Sequence, residues 1–228
     1  MENYNVRVFF SRDGYLKKIT LVSLRTSGEQ RLKEGDEIVL EKETENIAEI
    51  VVFTDKCNAY KSRLSDIPDG KASQLGEYLP TLLKMEPDEK VVGIAITKDY
   101  KGNMLFCFEN GKMTKTPLEG YATKTNRKRL TNAFASASQI VAVVQLEEEA
   151  DLVAISSIDK IMAFNSELVS LKTTRNSQGI TVMTLKKSAT LKKVIRAEEF
   201  KTENIGYYKT KKIPAAGCFA KEEQTSLF

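Results

Sequence analysis

The chain has 228 residues, 41% of them hydrophobic and 29% charged, with a net charge of +4 and no histidine. This is an ordinary globular composition, long enough for one large core or two small ones. The missing histidine excludes Ser-His and Cys-His dyads, HExxH helices and imidazole zinc sites. No GxxxxGK[ST] or strand-linked GxGxxG occurs either, so the chain alone is expected not to be an enzyme.

In chain order, short β-branched and aromatic runs dominate: RVFF, IAEIVVF, VVGIAIT, MLFCF, QIVAVVQL, DLVAIS and GITVMTL, each bounded by Gly, Asn, Asp or Lys. Asp13-Gly14 and Asn110-Gly111 lie between such runs and predict type I′ hairpins, whose central residues need positive φ. Helical periodicity is confined to 75–85, interrupted by Pro80, and to 127–134.

A phrase recurs: apolar run, tight turn, short basic segment. It spans 6–19, 50–64, 104–118 and, more weakly, 152–165, placing Gly14, Cys57, Gly111 and Asp159 in register at steps of roughly 43 to 54 residues. A period near 50 suits a four-stranded propeller-type blade, so the fold expected is all-β with about four clear four-stranded blades. IGYYKT (205–210) reads as the start of an incomplete fifth, and KSATLKKV (187–194) as a basic loop. Residues 1–220 are expected to form a single domain and 221–228 a frayed tail.

Cys57, Cys107 and Cys218 are far apart and read as small packing residues in a reducing compartment. No apolar stretch approaches the roughly 20 residues that cross a bilayer, and MENYNVRVFF lacks a signal-peptide pattern. A cytoplasmic, membrane-free protein is expected.

Charge is segregated along the chain. From Leu168 to Ala197 there are seven basic residues and no acid; from Lys112 to Leu146 there are six against Glu119 alone. Acids concentrate at 34–49 and 146–151. Lys17, Lys18, Lys61, Arg63 and Lys115 all follow the repeat turn, so they are expected to share one basic belt suited to a phosphate backbone. The bland alternative is that they are edge lysines that discourage strand pairing. Without a recognition helix, zinc module or RNP-like aromatics, contact with a duplex would be sequence-tolerant.

FFSRDGYLKKI, VVFTDKCNAYKSRLSDIP and FENGKMTKTPLEGY resemble the repeats of the C-terminal domain of DNA gyrase and topoisomerase IV A subunits. KTTRNSQGITVMTLKK is similar to that family's R-x-x-x-G-[IV] segment through Arg175, Gly179 and Ile180, and YATKTNRKRLTNAF resembles loops of the topoisomerase IV type. The likeness runs over residues 4–220. It implies a β-pinwheel, a propeller-like disc whose neighbouring blades exchange strands, that binds and bends double-stranded DNA on a basic perimeter. By position, the phosphate contacts would come from Lys17, Lys18, Lys61, Arg63, Lys115, Lys124, Arg127, Lys128, Arg129, Lys172, Arg175, Lys186, Lys187, Lys192 and Lys193. The Gly/Arg-rich box of gyrases (QRRGGRG) is replaced by RTSGEQRLKEGDE (25–37), and four clear repeats are fewer than gyrase's six. Both departures point to a topoisomerase IV-like or divergent A subunit.

The resemblance further implies that DNA cleavage, ATP and Mg²⁺ belong to the parent enzyme. The partners implied are DNA, the ATPase B subunit, and the rest of the A subunit, with the isolated domain monomeric and no cofactor of its own. Two other readings stay open at this point: a scaffold docking an acidic protein, and a small β-rich enzyme using a carboxylate pair.

Overall fold

The computed structural model describes residues 2–123 and 128–221. Its strands are β1 (Asn5–Ser11), β2 (Tyr15–Thr20), β3 (Ile38–Glu45), β4 (Glu49–Thr54), β5 (Ala59–Arg63), β6 (Glu77–Tyr78), β7 (Val91–Thr97) and β8 (Asn103–Phe108), followed by β9 (Lys112–Pro117), β10 (Arg129–Leu130), β11 (Ile140–Leu146), β12 (Asp151–Ser156), β13 (Lys160–Asn165), β14 (Ile180–Thr181), β15 (Leu191–Arg196) and β16 (Cys218–Phe219). The two α-helices among the described residues, α1 (Leu21–Leu24) and α2 (Leu79–Leu82), are single turns.

These strands make four antiparallel four-stranded sheets, in the orders β3-β1-β2-β6, β7-β4-β5-β10, β11-β8-β9-β14 and β15-β12-β13-β16. The first two sheets belong to one compact unit (residues 2–99 with 128–131) and the last two to another (100–123 with 132–221). In the first unit, Val8, Phe10, Leu16, Ile50, Val52, Leu64 and Ile94 pack as one core. In the second, Leu105, Met113, Leu152, Phe164, Met183 and Leu191 do the same.

Each sheet is seeded by a hairpin at the expected register. The N–H of Gly14, Cys57, Gly111 and Asp159 donates to the carbonyl three residues earlier at 3.0–3.1 Å. These four residues have φ of +94°, +57°, +81° and +62°. Asp13 and Asn110, however, keep negative φ. The turns are therefore type I followed by one left-handed residue, and not the type I′ turns expected.

A second recurring feature lies directly opposite the turn. Every outer strand carries one extra residue where its register slips against the turn-proximal end of the first hairpin strand. The bulged residues are Val39 in β3, Val92 in β7, Val141 in β11 and Lys192 in β15. A bulge breaks the two-residue alternation and re-aims side chains.

The fourth strand of the first three sheets arrives late: β6 after the hairpin β4–β5, β10 after β8–β9, and β14 after β12–β13. This interleaving is the strand exchange of a β-pinwheel. Entry of these two-residue strands requires close backbone approach. A Cβ on Gly179 would lie 2.0 Å from the Met113 carbonyl oxygen, and its φ is +74°. The R-x-x-x-G-[IV] segment is thus the gateway to β14, with Gly76 and Gly217 occupying the corresponding place before β6 and β16.

Two sequence expectations are corrected here. IGYYKT does not begin a fifth blade: Ile205–Tyr207 is a 3₁₀ turn, and Tyr208 and Thr210 exchange hydrogen bonds with Ala163 before the chain supplies β16 to the fourth sheet. The second half of KSATLKKV, from Leu191, is strand β15, because Leu191 and Val194 are buried and pin it to β12. Part of the expected tail, 222–228, lies outside the described residues.

Candidate nucleic-acid interface

The second strand of each hairpin is an interior strand, flanked on both sides by other strands. In the first and third sheets the lysines at its centre are carried into the protein. Lys17, Lys18 and Lys115 are 3%, 2% and 4% exposed, which removes all three from the basic belt expected on the surface.

Each has a built internal site. The Lys18 ammonium donates to Asn46 Oδ1 at 2.7 Å and the Leu64 carbonyl at 2.9 Å, with Asp69 at 3.1 Å. Asn46 precedes β4 and Leu64 follows β5, so Lys18 staples the first sheet to the second. Lys115 repeats the arrangement in the other unit. Its ammonium meets Glu149 at 2.6 Å and donates to the Ser166 carbonyl at 3.1 Å, on either side of the β12–β13 hairpin. Burial pushes the Glu149 carboxyl up, but hydrogen bonds from Lys115 and Ser166 outweigh it and leave the group below its ordinary range.

Lys17 makes no ion pair among the described residues. It donates to the carbonyls of Arg31 and Ala72 at 3.1 and 3.2 Å, and desolvation lowers its pKa. It thereby fastens the loop 25–37, the stretch that stands where gyrases carry their Gly/Arg-rich box. At the position of Lys18 and Lys115, the second copy has Lys61, half-buried and 3.9 Å from Glu49, and the fourth has Ala163.

Two further candidates act internally. Arg129 pairs with Glu86 at 2.6 Å and sits 6.0 Å over the Tyr60 ring, holding β10 against β5. Beneath it the buried Glu89 carboxylate accepts from Thr54, from Asn58 at 2.7 Å, from Tyr60 at 2.8 Å and from the Glu86 N–H at 3.0 Å. Burial and the Glu89 hydrogen bond push the Tyr60 phenol up to about 12. Arg175 donates to the Gly120 carbonyl at 3.1 Å and lies over the Tyr121 ring, and the backbone N–H of Lys172 donates to the Lys115 carbonyl at 2.7 Å.

The remaining described candidates point outward. Arg63 and Lys128 are exposed in the first unit, and Lys186, Lys187, Lys192 and Lys193 in the second. Lys186 opens a turn closed by the Ala189 N–H at 2.9 Å, and that turn delivers the chain into β15. None of these four second-unit ammoniums has an ion-pair partner among the described residues. Lys124 and Arg127 lie outside the described residues.

Sequence reasoning passed over Arg196, whose guanidinium donates to the Gln145 carbonyl at 2.6 Å, and the exposed Lys211 and Lys212. Their signal was present in KTKK (209–212), three lysines in four residues.

The match to known proteins follows the same anatomy. The family model of the DNA gyrase C-terminal domain, a β-propeller, matches residues 8–39, 48–98 and 164–198, more than half of the chain. The chain belongs to this family. This gyrase-family domain is also 22% identical to the A subunit of DNA topoisomerase 4 from Staphylococcus aureus over 165 residues, covering 70% of the chain and 21% of that relative. It therefore spans about a fifth of the curated relative it matches. Its fold is that of the C-terminal domain of DNA topoisomerase IV (TM-score 0.72, 22% identity, 90% of this chain and 64% of that one). The E. coli ParC C-terminal domain matches over 96% of this chain and 95% of its own, with TM-score 0.66 and 14% identity. The resemblance drawn from the repeat phrase is therefore correct at the level of family and fold.

Proposed function

We propose that this domain binds double-stranded DNA without sequence preference, bends it, and presents it to the catalytic core of a type IIA topoisomerase. The observation that carries the reading is the set of exposed lysines Lys186, Lys187, Lys192 and Lys193, without ion-pair partners among the described residues, inside a stretch from Leu168 to Ala197 that contains no acid. Charges so placed neutralise phosphates and read no bases. Membership of the gyrase C-terminal family supports the assignment, as does the likeness to a fifth of a topoisomerase 4 A subunit. On this reading the domain does no chemistry. DNA cleavage, ATP and Mg²⁺ belong to the B subunit together with the remainder of the A subunit, its partners in the cytoplasm. The isolated domain is a monomer.

The test is binding to random-sequence duplexes of about 20 to 150 base pairs, titrated from low to moderate salt. Affinity is expected to rise with duplex length and to fall steeply with salt. Absence of binding at low salt at any length would overturn the proposal.

A further inference from the structure

The four outer strands are equivalent in the fold but not in charge. Strands β7 (VVGIAIT) and β11 (IVAVVQL) carry no ionisable residue. Strand β3 (IVLEKETE) exposes Glu41 and Glu43, with Arg7 held between them at 3.3 and 3.2 Å, and its Lys42 ammonium donates to the Ile96 carbonyl. Strand β15 (LKKVIR) is basic throughout.

The bulge makes the difference larger. In a regular strand Lys192 and Lys193 would point to opposite faces. Here Leu191 pairs with Ser156 and Lys193 with Ile155, so Lys192 is the extra residue and both lysines stand exposed between the buried Leu191 and Val194. The other three sheets place valine at this point. Strand β15 ladders with β12 and its Leu191 N–H donates outside that pair, to the Glu109 carbonyl at 2.8 Å, but the exposed side chains of Lys192 and Lys193 stand clear and are open to a rod-shaped polyanion. The turn that leads into β15 adds Lys186 and Lys187.

We infer that the outer edge of the fourth sheet, built around the bulged Lys192 with Lys193, is where the duplex is gripped, and that the acidic outer edge of the first sheet takes no part. This rests on the proposed duplex binding and narrows it from a perimeter to one edge. A phosphate backbone meeting β15 finds ammoniums with no ion-pair partner among the described residues to give up. Meeting β3, it finds two carboxylates and an arginine already engaged.

The experiment compares two double variants that remove equal charge, Lys192→Gln with Lys193→Gln and Arg63→Gln with Lys128→Gln, on the 228-residue chain and a random-sequence duplex across a salt series. Each phosphate contact contributes about 0.9 to the logarithmic salt slope. The first pair is expected to lower that slope by about two, and the second by less than about half a unit. A third variant, Lys192→Arg with Lys193→Arg, should restore the slope, separating charge from any disturbance of the strand. Equal losses in the two Gln variants, or no recovery with arginine, would overturn the grip at β15. If the parent chain itself binds no duplex, the functional reading fails first, and the inference falls with it.

Discussion

Leu-Lys-Lys occurs in β2 as Leu16-Lys17-Lys18 and in β15 as Leu191-Lys192-Lys193, and the two copies do opposite things. In β2 the strand is interior, so both ammoniums are buried and bonded to backbone carbonyls or an amide. In β15 the strand is outermost and bulged, so both stand in solvent. Between these two copies, the place of the strand in its sheet, and not the residue type, separates a buried staple from a lysine left in solvent.

The sharpest way to break this contrast is Lys18→Ala. It leaves the Asn46 amide oxygen and the Leu64 carbonyl without their buried donor, and is expected to cost about 3 to 4 kcal/mol in urea unfolding. Lys115→Ala should behave alike in the second unit, since Glu149 loses its counter-charge. Gly179→Ala is next, at about 3 kcal/mol, because a Cβ there meets the Met113 carbonyl and the backbone has positive φ. Thermal unfolding would show it; a loss below about 1 kcal/mol would mean β14 can shift away from β9.

Acid is expected to cost stability through the buried carboxylates Glu89 and Glu149. The Glu89 carboxyl is pushed up by burial, but hydrogen bonds from Thr54, Asn58, Tyr60 and the Glu86 N–H bring it below its ordinary value, as they do for Glu149 with its own partners. Both groups bind a proton less readily folded than unfolded. Their contribution is complete above the ordinary glutamate value of 4.5 and is lost as pH falls through the lower folded values. A denaturant midpoint that does not decline from about pH 5 to about 3 would contradict this. Smallest of all, Lys192→Ala with Lys193→Ala should leave stability within about 0.5 kcal/mol of the parent.

The hairpins were legible because turn chemistry is local. Gly14, Cys57, Gly111 and Asp159 each end a four-residue turn, and a tight turn leaves the same mark wherever it occurs. Strand order was not legible. Nothing in YLKKIT says that β6 will arrive from residues 77–78 to enclose it, and two-residue strands such as β6, β10, β14 and β16 are too short to show a period. Lys17, Lys18 and Lys115 therefore read as surface residues, whereas the segments that return beside them, bridging Lys18 to Asp69 and Lys115 to Leu171, help to bury them. At β15 the error ran the other way: the bulge erases the alternation at Lys192-Lys193, and a strand took on the look of a loop. The outward lysines of 186–193 were readable because an acid-free run needs no knowledge of topology.

The late arrival of β10 also sets a timetable for synthesis. As the chain leaves the ribosome, β4, β5 and β7 are present by Thr97, yet the edge of β5 at Ala59 and Tyr60 stays open until Arg129 and Leu130 have been made. A nascent chain that has reached Thr97 thus holds an unclosed sheet over its Glu89 hydrogen bonds, with a sticky edge for another strand to occupy. The hairpin β8–β9, which begins the third sheet, must be translated before the second can be finished. None of the first three blades can be born whole, and a gene fragment cut at one of their boundaries would encode a sheet with one strand missing.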